Sequence, residues 1–193
     1  MKVRSLLVGM TALSLCTAGL VYADPIAKSM RVIVNGTEAA GGSAKALDGL
    51  YLSVDLIRDQ LRGIVGLDSK KQTVSIYTPN VHMMTKDSDS IFGEVNKGAK
   101  ISFNVLAQID SLKTDLAAFK VTITAPDGSE TLIEERKAGQ KAFPEKGKED
   151  FWINTPVLSY KFADSGNYKV RFHMQPVGDS AMHVVSEKVI VSK

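Results

Sequence analysis

Residues 101–109 read ISFNVLAQI, and this stretch decides the fold of the second half of the chain. Apolar and polar side chains alternate along it, with Phe103, Val105 and Ile109 on the same side. Such alternation is typical of a strand that buries one face. Apolar runs of strand length recur downstream, and the pattern predicts a β-sandwich over residues 91–193. The runs lie at 119–124, 130–135, 151–153, 157–160, 169–174 and 182–191.

Turn signals separate these runs. Residues 125–129 read APDGS, in which proline and glycine favour turn backbone, and a polar, lysine-rich loop is predicted at 137–150. Residues 163–168 read ADSGNY and lead into the next strand. This motif resembles the tyrosine corner of immunoglobulin-like sandwiches, whose hydroxyl bonds the backbone. The resemblance implies an immunoglobulin-like or fibronectin-like sandwich, and we expect Tyr168 and Trp152 in its core.

The first half of the chain predicts a small α+β domain over residues 24–80. Strands are predicted at 30–34, 50–52, 64–67 and 73–77. Between the second and third, Ser53 is placed to cap a helix, and Val54, Ile57 and Leu61 recur at helical spacing. Gly63 is a natural stop for that helix. One helix on a small antiparallel sheet would bury the apolar faces of both. Residues 81–90 are predicted to be a linker or an edge strand.

Three segments of this half resemble a known family. They read RVIVNGTEA (31–39), LYLSVDLIRDQL (50–61) and GIVGLDSKKQTVSIY (63–77). Together they resemble the copper amine oxidase N-terminal-like domain, or stalk domain, of secreted bacterial proteins. Ser53 and Leu67 depart from its pattern, which often has proline and tryptophan there. The resemblance implies a spacer or binding module, since the stalk is not the copper-bearing catalytic part of those oxidases.

The N-terminus predicts export. Lys2 and Arg4 precede an uncharged, mostly apolar stretch, and Ala23 ends a small-residue cleavage pattern. Residues 1–23 therefore predict a signal peptide, and the protein is expected to be secreted, extracellular or attached to the cell wall. The alternatives are a membrane anchor and a lipoprotein modified at Cys16, which is the only cysteine. After cleavage no membrane span is expected.

Composition argues against several function classes. The 24 basic and 21 acidic residues are nearly balanced, which disfavours a nucleic-acid binder. No catalytic motif, phosphate-binding loop or dinucleotide fingerprint occurs, so no catalytic residue is predicted. Paired carboxylates that meet only in the fold would be the route to an enzyme. We instead expect a non-catalytic module that binds a cell-wall polymer or another surface protein.

The histidines carry the alternative hypothesis, an extracytoplasmic copper-binding protein. His82, His173 and His183 each adjoin a methionine in sequence: Met83 and Met84, Met174, and Met182. Imidazole and thioether ligands suit copper. The opposing interpretation is that each strand turns methionine inward and histidine outward. Asp87 and Asp89 in KDSDS lack the glycine and glutamate of a calcium loop, which favours a solvated acidic loop.

Overall fold

A computed structural model describes residues 49–68 and 73–193, and the backbone of three short strands before them. The predicted signal peptide, residues 1–23 with Cys16, lies outside the described residues, as do residues 69–72 of the predicted α+β domain. No helix in the described ranges is both long and apolar enough to cross a membrane.

Short hairpins and one helix make up the N-terminal part. In chain order its elements are β1 (Val32–Val34), β2 (Thr37–Ala39), β3 (Ser43–Ala46), β4 (Gly49–Leu52), α1 (Val54–Asp59), β5 (Ile64–Asp68) and β6 (Thr73–Tyr77). Instead of the expected single sheet, the described parts of these strands form three antiparallel pairs, β1–β2, β3–β4 and β5–β6. No strand was predicted for β2 or β3. β3 lies in the stretch AAGGSAKA (39–46), whose glycines and alanines have low strand propensity. The helix packs against β5.

Helix α1 begins as the sequence predicts but ends earlier. The Ser53 hydroxyl accepts a hydrogen bond from the Leu56 amide at 3.1 Å, which confirms the cap. The chain leaves the helix after Asp59, so Leu61 does not extend the apolar stripe and is 47% exposed. A Cβ at Gly63 would lie 2.8 Å from the Ile57 side chain, and this close approach favours glycine there.

Ten further strands build two five-stranded sheets. They are β7 (Asn80–Lys86), β8 (Ile91–Phe92), β9 (Glu94–Val95), β10 (Lys100–Asp110), β11 (Leu116–Thr124), β12 (Glu130–Lys137), β13 (Phe151–Asn154), β14 (Leu158–Lys161), β15 (Gly166–Pro176) and β16 (His183–Ser192). The first sheet has the order β13-β10-β7-β8, with β14 also on β10, and the second has the order β12-β11-β15-β16-β9. β9 and β16 are parallel, and the other pairs are antiparallel.

The inner faces of the two sheets share one hydrophobic core, so the strands after β6 have the layout of a β-sandwich. Every second residue of β10 is buried from Phe103 to Ile109, as the alternation predicts. Phe119 stacks on Phe172 of the neighbouring strand at 5.4 Å between ring centroids. Ile64 of β5 joins the same cluster, so the N-terminal part contributes to this core.

Tyr168 occupies the buried position that the sequence predicts. Its hydroxyl accepts a hydrogen bond from the Asp164 amide at 3.0 Å and donates one to the Asp164 carbonyl at 3.2 Å. Gly166, between them, has φ 133°, and a Cβ there would lie 3.0 Å from Pro126. The tyrosine therefore fixes the chain where it enters β15.

Residues 81–90, predicted as a linker or an edge strand, contribute most of β7. That strand pairs with β10 along Asn80–Lys86 and with β8 at its end. The domain boundaries at 80 and 91 remain predictions.

Candidate functional site

Trp152 was expected in the core, and this prediction is wrong. Its side chain is 57% exposed, whereas its neighbours Phe151 and Ile153 are buried. Successive residues of a strand point to opposite faces, so burying both neighbours sends Trp152 outward. The sequence already indicated this outcome. Trp152 stands between two large apolar residues, and a strand that buries one face can bury either Trp152 or its two neighbours.

Trp152 lies in an ordered array of outward side chains on the first sheet. It pairs with Gln108 on β10, which pairs with His82 on β7. In the next row, Asn154 pairs with Leu106, which pairs with Met84. We call this array the Trp152 face, and it comprises Trp152, Asn154, Asn104, Leu106, Gln108, His82 and Met84.

The amides of the Trp152 face are oriented by one another and by a carboxylate. The Gln108 amide donates to Asp110 at 3.1 Å, and the Asn104 amide donates to the Asn154 oxygen. An amide has two donor hydrogens and one acceptor oxygen, so each bond uses part of its capacity. The face can therefore offer fixed donors and acceptors to a ligand.

A hollow of about 340 Å³ adjoins the face. It lies between Leu106, Asn154 and the β7–β8 loop, with the exposed Val157 at its side. Asp87 in this loop accepts hydrogen bonds from the backbone amides of Ser90 and Asp89, and these bonds hold the pKa of Asp87 below its ordinary value. Asp87 thus shapes the loop.

The three histidines occupy different environments. His82 is exposed on the Trp152 face. His173 and His183 are each only 7% exposed. Met174 points into the core as expected, with His173 on the opposite face of its strand, but His183 is turned inward, so the expectation is wrong for His183. A register irregularity beside His173 puts His183 opposite the buried Met174. This pairing turns His183 inward, where it binds Asp179 at 2.7 Å.

His173 bonds the hydroxyl of Thr122 at 3.1 Å. Burial is the main reason that its pKa is lowered to about 4, and the positive charge of Lys120 adds to the effect. The neutral imidazole is therefore the form that the fold favours.

Of the predicted copper ligands, the structure places Met174 and His183 opposite each other on paired strands, but it separates the others. His173 and Met174 are adjacent on one strand, so their side chains leave opposite faces. The Nε2 atoms of His173 and His183 bond separate partners. Within the described ranges, no three His, Cys, Asp or Glu side chains are grouped to hold a metal ion. Copper binding stays a prediction from the sequence.

Comparison of the chain with protein-family models and with curated proteins found no match.

Proposed function

We propose that this chain is an exported, non-catalytic binding module of a bacterial cell envelope. In this proposal the Trp152 face holds a glycan chain of the wall polymer. The observation that carries it is the large exposure of Trp152 within a row of polar side chains on a paired strand. An exposed tryptophan ring beside oriented polar groups offers a large apolar surface that a ligand can cover.

The chemistry of the face fits a sugar. The ring of Trp152 presents a negative π-face that attracts the C–H groups of a pyranose. Gln108 and Asn154, beside it, carry the amide groups that pair with sugar hydroxyls. Adjacent rows on a strand lie about 7 Å apart, so the face spans more than one sugar ring. A polymer would therefore be gripped along its length.

The residues of the Trp152 face suit the binding of a ligand better than its chemical conversion. The one titratable side chain of the face, His82, is flanked on the same strand face by Met84 and has no carboxylate paired with it among the described contacts. A general base needs such a partner to fix its tautomer and position. This composition supports a holding role for the face.

The topology supports a finer assignment of residues 91–193 as an immunoglobulin-like or fibronectin-like domain. Tyr168 makes the two backbone bonds expected of a tyrosine corner. The parallel pairing of β9 with the last strand adds a further strand to the β11–β15–β16 layer. The stalk-like assignment of residues 24–80 is supported by helix α1 and by the β5–β6 hairpin that follows it, and it implies a spacer role.

Trp152 provides a direct test, because it is the only tryptophan in the chain. The purified protein should bind cell walls stripped of protein, and soluble wall oligosaccharides should shift and quench its tryptophan emission. Trp152→Ala should weaken sedimentation with stripped walls at least tenfold, since central aromatic residues dominate binding energy. The matched control is Leu132→Ala, which removes an exposed apolar side chain from the second sheet.

Three results bear on the alternatives. Equal wall binding by the wild type and Trp152→Ala would contradict the proposed site. Binding to untreated walls alone, again lost in Trp152→Ala, would identify a surface protein as the ligand of this face. Equal losses in Trp152→Ala and Leu132→Ala would indicate nonspecific hydrophobic adsorption.

A further inference from the structure

A second hollow lies at one end of the sandwich. Its volume is about 450 Å³, and three segments line it: the β10–β11 connection, the 138–148 part of the lysine-rich loop, and Val177 after β15. Leu112, Leu116 and Phe151 are buried at its base. The base is therefore apolar, and its volume is within the range of small-molecule sites.

Backbone bonds hold the three segments in place. The Leu112 amide donates to the Glu149 carbonyl at 3.0 Å. Asp115 joins the other two segments, since its carboxylate accepts from the Gly147 amide at 2.7 Å and its carbonyl accepts from the Val177 amide at 2.9 Å. The hollow is thus formed by the protein before any ligand arrives.

An aromatic stack supports one wall. Phe143, in the lysine-rich loop, stacks on Phe119 with 5.7 Å between ring centroids. Phe119 in turn stacks on Phe172 in the core. The wall is therefore anchored to the centre of the sandwich, which keeps the loop from collapsing into the hollow.

The rim carries two lysines, Lys146 and Lys148, and two carboxylates, Asp115 and Glu145. Asp115 is engaged by Gly147, Asp150 accepts from the Ser111 amide, and Glu149 pairs with Lys113. Glu145 is the remaining carboxylate in the lining, against Lys146 and Lys148. Neither lysine is in an ion pair with a described carboxylate. A ligand that brings its own anion would pair with these two lysines.

We propose that this hollow binds a small apolar carboxylate, with the apolar body on Leu116, Phe143 and Phe151 and the carboxylate at Lys146 and Lys148. Both a free acid and the C-terminal residue of a peptide carry this chemistry. The site is separate from the Trp152 face and does not depend on glycan binding.

The test is a titration of the full purified chain followed by backbone NMR. The probes are 3-phenylpropionate as a free acid, N-acetyl-phenylalanine as a peptide end, and the amide of each. Both acids, or the peptide end alone, should shift the amide signals of Gly139, Gly147 and Val177. Each amide probe should bind at least tenfold more weakly than its acid, because it lacks the charge.

Variants test the rim separately. Lys146→Ala/Lys148→Ala should weaken binding of the acids at least tenfold, and Val177→Glu should do the same by placing a carboxylate at the exposed mouth. The matched control, Lys97→Ala/Lys100→Ala, removes two exposed lysines elsewhere and should bind as the wild type does. All five positions are exposed, and the spectra without ligand verify that each variant is folded.

Equal affinity for acids and amides, or unchanged affinity in the rim variants, would overturn the proposal. So would shifts confined to residues outside the hollow, or no binding of either acid. These outcomes leave the glycan proposal intact, since that proposal is measured at Trp152.

Discussion

The two sheets share an inner core but differ on their outer faces. On the second sheet, Arg171 binds Glu187 at 2.8 Å, and Arg62 from the N-terminal part reaches the same carboxylate at 3.4 Å. Lys120 pairs with Glu130 at 3.6 Å on the neighbouring strands. On the first sheet, the outward positions carry Trp152 and amides in the middle, with Lys86, Lys100 and Asp110 towards the ends of the same strand faces.

This difference shows what an outer face can reveal about function. Charged side chains that already form ion pairs within the protein have less to offer to a ligand. The Trp152 face keeps an apolar ring and partly used amides open to solvent. Both faces are built on the same alternation, so the distinction lies in which residues occupy the outward positions.

The largest effect should come from the shared core. Phe119→Ala removes a fully buried ring that stacks on both Phe143 and Phe172. We expect the free energy of unfolding, measured by urea denaturation, to fall by about 3–5 kcal/mol. The outward-facing control Leu132→Ala should change it by less than about 0.5 kcal/mol. A small loss in Phe119→Ala would mean that the core relaxes around the gap.

The next effect concerns pH and the second sheet. The pKa of His173 is lowered from 6.5 to about 4, so the unfolded chain takes up this proton more readily than the folded protein. The contribution of neutral His173 to the free energy of unfolding is fully present above pH 6.5 and is lost as the pH falls towards 4. The loss amounts to at most roughly 3 kcal/mol. Urea denaturation between pH 4 and 7 should reveal it.

Two glutamine variants separate this titration from the others. His173→Gln keeps a polar group near Thr122 but cannot titrate, so stability should decline less between pH 6.5 and 4. His82→Gln, on the open first sheet, should retain the decline of the wild type. If both variants follow the wild type, His173 is not the group responsible.

A smaller effect is expected at the entry to β15. Tyr168→Phe keeps the buried ring but removes the hydroxyl that bonds the backbone of Asp164 twice. Because Asp164 is exposed, water can replace part of the lost bonding. We expect thermal denaturation to show a loss of about 1 kcal/mol. An unchanged melting temperature would remove the tyrosine corner as a stabilising element here.

The smallest effect on stability should come from Trp152→Ala. Its ring is mostly exposed, so the free energy of unfolding should change by less than about 0.5 kcal/mol while wall binding is lost. Loss of wall binding without loss of stability would show that the Trp152 face serves binding and that the core serves stability. A loss of several kcal/mol would instead show that the ring packs on its neighbours.

Local patterns were enough for part of the fold. The alternation at 101–109, the turn at 125–129 and the burial of Tyr168 were all predictable, because strand period and turn chemistry act over a few residues. The cap at Ser53 was predictable for the same reason. The burial of Trp152 was predicted wrongly because the prediction considered the size of its ring and not its position between Phe151 and Ile153, which point to the opposite face of the strand.

Other features depend on contacts far apart in the sequence. The lowered pKa of His173 depends on its burial by what packs around β15 and on the charges of Lys120 and Arg62. The hollow at the end of the sandwich requires three segments to meet, and no short motif describes such a meeting. The pairing of the N-terminal strands likewise depends on which strands meet in the folded protein.

Which residues alternate, where the chain turns and which tyrosine bonds the backbone could be read from the sequence alone, because these features follow from local geometry. Which outward positions stay open and which are covered depends on the folded structure. That choice depends on register across neighbouring strands: Trp152, Gln108 and His82 come from three of them and form a row only after the strands pair.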